Sequence, residues 1–222
     1  MKSGDFVYID YIGKIKNSGE IFDLTREDIA KKEGIYNEKL KYGHVPVVVD
    51  AGFVVEGLND AIKEMNIGDK KKIMIEPEKA FGERSDELVK LIPEARFKEQ
   101  GIDVVPGSNI MINNLRGKII SNDGGRVKVD FNHPLAGKIL EYEIEIIQEM
   151  KENIDKIKAL AYYFTGADKE KIDVQIKEKI AEIEVNEIEV RREVRGRIAA
   201  QIMKWVPDIE TVKFIDVFKK PE

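Results

Sequence analysis

Residues 52–82, GFVVEGLNDAIKEMNIGDKKKIMIEPEKAFG, leave this chain few ways to fold. Leu58, Ile62 and Met65 recur at i, i+4 and i+7, which puts three apolar side chains on one face of a short helix. Asn66 to Asp69 then stop the helix, with Gly68 free to take the positive φ that such a turn often requires. From Lys70 to Glu76, Ile73 and Ile75 alternate with polar neighbours, the pattern of a half-buried strand. The segment carries no acid–base pair, nucleophile or metal-ligand cluster. Its distinctive content is apolar: Val54, Val55, Leu58 and Phe81.

Upstream, the strand-like VYIDYIG ends in Tyr11-Ile12-Gly13, with Val7, Ile9 and Tyr11 on one face, and GEIFD carries the pair Phe22-Asp23. Downstream, LEYEIEI sets Leu140, Tyr142, Ile144 and Ile146 on one face of a strand and Glu141, Glu143 and Glu145 on the other. The ordered set resembles the FKBP-type peptidyl-prolyl cis/trans isomerases: aromatic-x-Gly, Phe-Asp, V-V-x-G-L…G-D…A-F-G, then a closing strand with an inward aromatic. The resemblance implies an α+β fold, an antiparallel sheet wrapped on a short helix. It implies that Tyr11, Asp23, Phe81 and Tyr142 act on the prolyl bond. Phe22, Val54, Val55, Leu58 and Leu140 would bind the substrate. The family usually places Trp where Leu58 stands and often Tyr where Phe81 stands. With Leu58 the pocket floor is smaller, which bears on macrolide binding more than on isomerisation, and with Phe81 a hydroxyl donor to the substrate carbonyl is missing.

The implied chemistry explains the scarcity of polar groups. Rotating an X-Pro bond takes the amide out of conjugation across a barrier of about 18–20 kcal/mol, and no bond breaks. The twisted amide is less polar than the planar one, so an apolar pocket shaped to it lowers the barrier by differential binding. No cofactor and no metal are expected. Ordinary carboxylates titrate near ~3.9 and phenols near ~10, so activity is expected to be nearly flat from about pH 6 to 9. The two histidines, His44 and His133, are expected in loop roles. The competing reading is a holdase or binding protein with a weak or vestigial pocket. The presence of Tyr11, Phe22 and Asp23 favours the isomerase.

Composition bounds the setting. The chain has 222 residues, room for two or three small domains, and no cysteine, which excludes disulfides and thiolate metal sites. A charged fraction of 36% with a net charge of −5 argues against nucleic acid as a partner. No window is apolar enough to cross a bilayer and MKSGDFVYID lacks a signal peptide's apolar run, so a cytoplasmic protein without membrane contact is expected.

The isomerase pattern, residues 1–83 and 133–150, is interrupted at 84–132, too long a stretch for a structureless loop. Segments 109–112, 116–120 and 126–131 read as strands, and Asn122-Asp123-Gly124-Gly125 as a hairpin turn. Pro93 predicts extended backbone around Ile92. With the return sequence NHPLAGK, the interruption resembles the insert-in-flap domain of SlyD-like and archaeal FKBPs. That implies a chaperone domain gripping unfolded or nascent polypeptides, with Leu88, Leu91, Ile92, Phe97, Ile110 and Ile112 as the expected apolar surface.

Further segments carry helical and strand signals. Thr25 and Asp28 resemble a helix N-cap box closed by Gly34. Residues 151–222 read as a third unit, α-β-β-α-β, with a first helix ending at Gly166, a second capped by Asn186 and closed by Pro207, and a last strand from Val212 to Phe218. This matches the C-terminal extension of long-chain archaeal FKBPs, whose expected role is a homodimer contact or client contact.

Overall fold

Strand β1 (Phe6–Ile15) organises the first part of the molecule, because its two faces serve two different cores. Val7 and Ile9 are fully buried, while Phe6 on the opposite face belongs to a second cluster with Val48 and Met150. After it come β2 (Ile21–Leu24), α1 (Glu27–Lys32), β3 (Val45–Val48), α2 (Glu56–Glu64) and β4 (Lys70–Ile75). The computed structural model describes residues 1–217, and close packing divides the chain into Met1–Met74 with the chain from Glu141 onward, and Ile75–Leu140.

In the first unit the sheet order is β2-β1-β9-β4, β9 being Leu140–Met150, with β3 paired antiparallel to β1. Helix α2 buries Leu58, Ala61 and Ile62, and Met65 just beyond it, as the apolar spacing predicts. Glu56 in its first turn and Lys63 in its last complement the helix dipole. Gly68 takes φ 85° in the turn that follows, where Asn66 donates its N–H to the Asp69 carboxylate at 2.8 Å. Thr25 does not cap α1. Its buried hydroxyl bonds Asp10 at 3.0 Å and accepts the Tyr11 N–H at 3.0 Å, so it ties β2 to β1, and α1 starts at Glu27 without a side-chain cap.

The second unit inserts β5 (Val89–Pro93), α3 (Glu94–Glu99), β6 (Asn109–Ile112), β7 (Leu115–Asp123) and β8 (Arg126–Asp130). They form a four-stranded sheet in the order β5-β8-β7-β6. The β7–β8 turn falls on Asp123-Gly124-Gly125, with both glycines at positive φ, as the sequence predicts. The sheet's core is Phe97, Ile110, Ile112, Ile119, Val127 and Val129.

Beyond β9, α4 (Asn153–Thr165) ends on the left-handed Gly166, φ 66°, as expected. It is followed by β10 (Ile172–Lys177), β11 (Ile180–Val185), α5 (Arg192–Trp205) and β12 (Thr211–Ile215). Strand β11 pairs antiparallel with β10 and parallel with β12, and α5 crosses between β11 and β12 while packing on α4. Asn186 is not the cap of α5. It donates to Asp173 at 3.1 Å, and a turn through Glu187, at φ 65°, separates it from the helix. The expected strand end at Phe218 lies outside the described residues; β12 stops at Ile215. The apolar faces of α4, α5 and this sheet form one cluster with Phe6 and Val48, so the C-terminal elements share a core with the back of β1.

Candidate active site

The front face of β1 ends in a corner of aromatic rings. Tyr142 of β9 meets Tyr11 of β1 at a centroid distance of 5.8 Å and 61°, and Phe22 of β2 at 5.7 Å and 85°. Both are edge-to-face geometries, which set the positive ring edge on the negative ring face. The Tyr11 hydroxyl donates to the Asp23 carboxylate at 2.7 Å. Gly13 makes the corner possible: a Cβ there would stand 2.7 Å from the Phe22 ring and 3.1 Å from Tyr142. The β1–β2 register shifts between Gly13 and Lys14, an irregularity of the kind that re-aims side chains. Four expected site residues, Tyr11, Phe22, Asp23 and Tyr142, are thus brought together.

Comparison with known proteins decides the family. The chain is 34% identical over 146 residues to a short-type peptidyl-prolyl cis-trans isomerase of Methanocaldococcus jannaschii, covering 66% of this chain and 92% of that protein. It belongs to the FKBP-type peptidyl-prolyl cis/trans isomerases. A probable FKBP-type 16 kDa isomerase of Pseudomonas fluorescens is 36% identical over 104 residues, 45% of this chain and 68% of its own. The isomerase SlyD of Haemophilus influenzae is 29% identical over 140 residues, 60% of this chain and 69% of its own. Two family models also match, the insert domain of FKBP26 over residues 90–135 and the FKBP26 C-terminal domain over 153–219.

Within this FKBP-type frame the remaining expected site residues fall into distinct settings. Val54 and Val55 are half-buried where the chain enters α2, Val55 in the N-cap position. Leu58, with 2% of its surface exposed, offers an edge at most. Leu140, expected to touch substrate, is fully buried at the start of β9 and offers no surface to a substrate. Phe81 belongs to the second unit, where it stacks on His133 at 4.3 Å and 4°. His133 also accepts the Leu135 N–H through Nδ1 at 3.2 Å, so it holds the return loop. His44 meets Asp10 at 2.9 Å.

Burial sets the electrostatics of the corner. It pushes the Tyr142 phenol up to about 12, with the negative charge of Asp23 adding to the effect. Tyr11 is raised further, first by burial, then by the charge and hydrogen bond of Asp23. Both rings carry neutral hydroxyls throughout the physiological range. The corner offers shape, aromatic edges and one oriented hydroxyl.

The insert's apolar surface differs from the expected one. Leu88 and Leu91 are exposed, 45% and 63%, but Phe97, Ile110 and Ile112 are buried and Ile92 packs against them. A strand's two faces alternate residue by residue, so the neighbours of the expected residues face outward. Met111 is 59% exposed and Ile120 44%, and Leu115, paired with Ile112 at the hairpin end of the covered face, is also 59% exposed. Val89, Leu91 and Ile120 line a cleft of about 460 Å³ together with Arg84, Asp86 and Lys128. Gly13 was legible as part of the aromatic-x-Gly motif, but its role as the space between two rings was not. Its signal is a glycine inside an otherwise alternating strand, a mark of close approach.

Proposed function

We propose that the Tyr11–Phe22–Tyr142 corner, with Val54 and Val55, is the prolyl pocket of this isomerase, and that the insert captures unfolded chain for it. The observation that carries the reading is the set of edge-to-face rings around one hydroxyl held by a carboxylate. The rings give the proline an apolar seat. A planar X-Pro amide entering it loses hydration of its polar form, whereas the twisted amide loses less, so the pocket favours the twisted state. Asp23 fixes the Tyr11 ring and needs no proton transfer to do so.

The insert, expected at 84–132, adds capture. Its exposed Leu88, Leu91, Met111, Leu115 and Ile120 match the apolar side chains of an unfolded polypeptide. Covalent linkage to the pocket raises the local concentration of each prolyl bond of a held chain, an avidity effect without new chemistry. Replacing residues 84–131 by a short loop tests both parts. Activity on an X-Pro tetrapeptide should persist, while catalysis of a proline-limited refolding reaction should fall steeply. Equal losses on both substrates would give the insert a role in shaping the pocket, and undiminished refolding would place capture outside the insert.

A further inference from the structure

The last turn of α4 carries three consecutive aromatics, Tyr162, Tyr163 and Phe164. Neighbouring helical residues are rotated by about 100°, so the three cannot share one buried face. Tyr162 turns toward Tyr8, with the Lys169 ammonium 5.2 Å from its centroid and 3.9 Å from that of Tyr8. Phe164 packs against the shared C-terminal core. Tyr163 turns instead to Phe53, ring centroids 4.4 Å apart at 44°, and Phe53 also meets Phe164 at 6.1 Å.

A half-exposed tyrosine is ordinary on a protein surface. Its position gives this one a role. Phe53 directly precedes Val54 and Val55, and Tyr163 keeps 40% of its surface open. Burial holds Tyr163 itself in the neutral form. One ring of the C-terminal elements thus packs on the residue that leads into Val54, Val55 and α2.

We propose that Tyr163, backed by Phe53, is a specificity-determining residue, an aromatic shelf that extends the prolyl pocket and favours peptides with an apolar side chain next to the proline. The inference rests on the pocket reading above. Proline is small and its ring alone supplies little contact area, so an adjacent apolar side chain is the nearest source of more. A ring already held by Phe53 and Phe164 loses little freedom when substrate packs on it, which favours affinity. The C-terminal segment, expected to serve dimerisation or client contact, then also takes part in substrate choice.

The test measures kcat/KM of the full chain by NMR exchange on X-Pro-Y tetrapeptides with Phe, Leu, Ala or Glu beside the proline. Tyr163→Ala should lower the Phe-to-Ala ratio of kcat/KM about fivefold, the scale of one lost aromatic contact, and Tyr163→Phe should preserve the ratio. Tyr163→Leu, which keeps apolar packing on Phe53, substitutes if the alanine variant unfolds, and the same fall in ratio is expected. A ratio unchanged in these variants, including a uniform loss on every peptide, overturns the shelf. Tyr142→Ala separates the two levels. If it retains full activity on all peptides, the pocket reading falls and the shelf with it. If it loses activity on all peptides while Tyr163→Ala leaves the ratio intact, the shelf alone falls.

Discussion

The aromatic corner and the insert sheet are both made of apolar side chains, yet they use them in opposite ways. In the corner Tyr142 is 4% exposed and each ring is held by another ring, by Asp23 or by the space that Gly13 leaves. In the insert, six buried side chains support a sheet that leaves Leu91, Met111 and Leu115 each more than half exposed. The proposed prolyl seat needs side chains held in one geometry, as these rings are. The proposed capture of unfolded chain needs a face open to many sequences, as these exposed side chains are. Rotamer-rich Met and Leu side chains adapt to varied partners, whereas an edge-to-face cluster cannot rearrange without losing its contacts.

The contrast breaks most visibly at Phe97. It is fully buried and is the largest member of the insert's small core. Phe97→Ala should cost about 3–5 kcal/mol, enough to unfold a unit with so few buried side chains. Amide exchange should lose protection in β6, β7 and β8, while β1 and β9 amides keep theirs. Loss of protection in β1 as well would mean that the two regions share one cooperative transition and that their division of labour has no energetic basis.

Two glycines sharpen the contrast at smaller amplitude. A Cβ on Gly13 would sit 2.7 Å from Phe22, and one on Gly117 would sit 2.6 Å from Val129 and 2.9 Å from Phe131. Each alanine variant overpacks its site at a cost of about 1–3 kcal/mol. Gly13→Ala should lower tetrapeptide kcat/KM about tenfold by displacing the rings, with binding of an unfolded protein unchanged. Gly117→Ala should do the reverse, lowering the insert's thermal stability and its grip on unfolded chain while leaving tetrapeptide turnover alone. Crossed effects would show that strain passes from one region to the other.

The same contrast governs what could be read in the sequence. The corner was legible because its residues sit in fixed spacings that survive folding: Tyr11 two before Gly13, Phe22 beside Asp23, Tyr142 on the inward face of an alternating strand. The elements around it, α2, β4, β9 and α4, were legible for the same reason. The insert's exposed face was not. Ile110 and Ile112 look as apolar as Met111, and only the side of the sheet that Phe97 covers decides which of them is buried; Leu115 pairs with Ile112 on the covered face and is exposed nonetheless at the start of β7. Thr25 and Asn186 failed as caps because each found a partner distant in sequence, Asp10 for one and Asp173 for the other. Local pattern cannot weigh such a partner against a helix end. Tyr163 was invisible as a pocket residue, since its meaning comes from Phe53 on another element.

The smallest expected effect is an absence of change with pH, and it bears on the mechanism most directly. Burial raises the phenol of Tyr142 to about 12 and that of Tyr11 beyond the ordinary phenol range, with Asp23 contributing to both. A phenol whose folded pKa is raised stays protonated where the unfolded chain would ionise, near pH ~10. Its contribution to stability is therefore complete below about pH 10 and is lost as pH climbs from there toward 12. Tetrapeptide kcat/KM should stay level from pH 7 to about 10, and any decline above that should track loss of structure by circular dichroism. Tyr142→Phe removes one of the two titrating groups and should move the alkaline unfolding midpoint upward while leaving the plateau in place. A decline in activity between pH 7 and 9 with the fold intact would require a proton on a working group, and the corner would then be more than a shaped apolar seat.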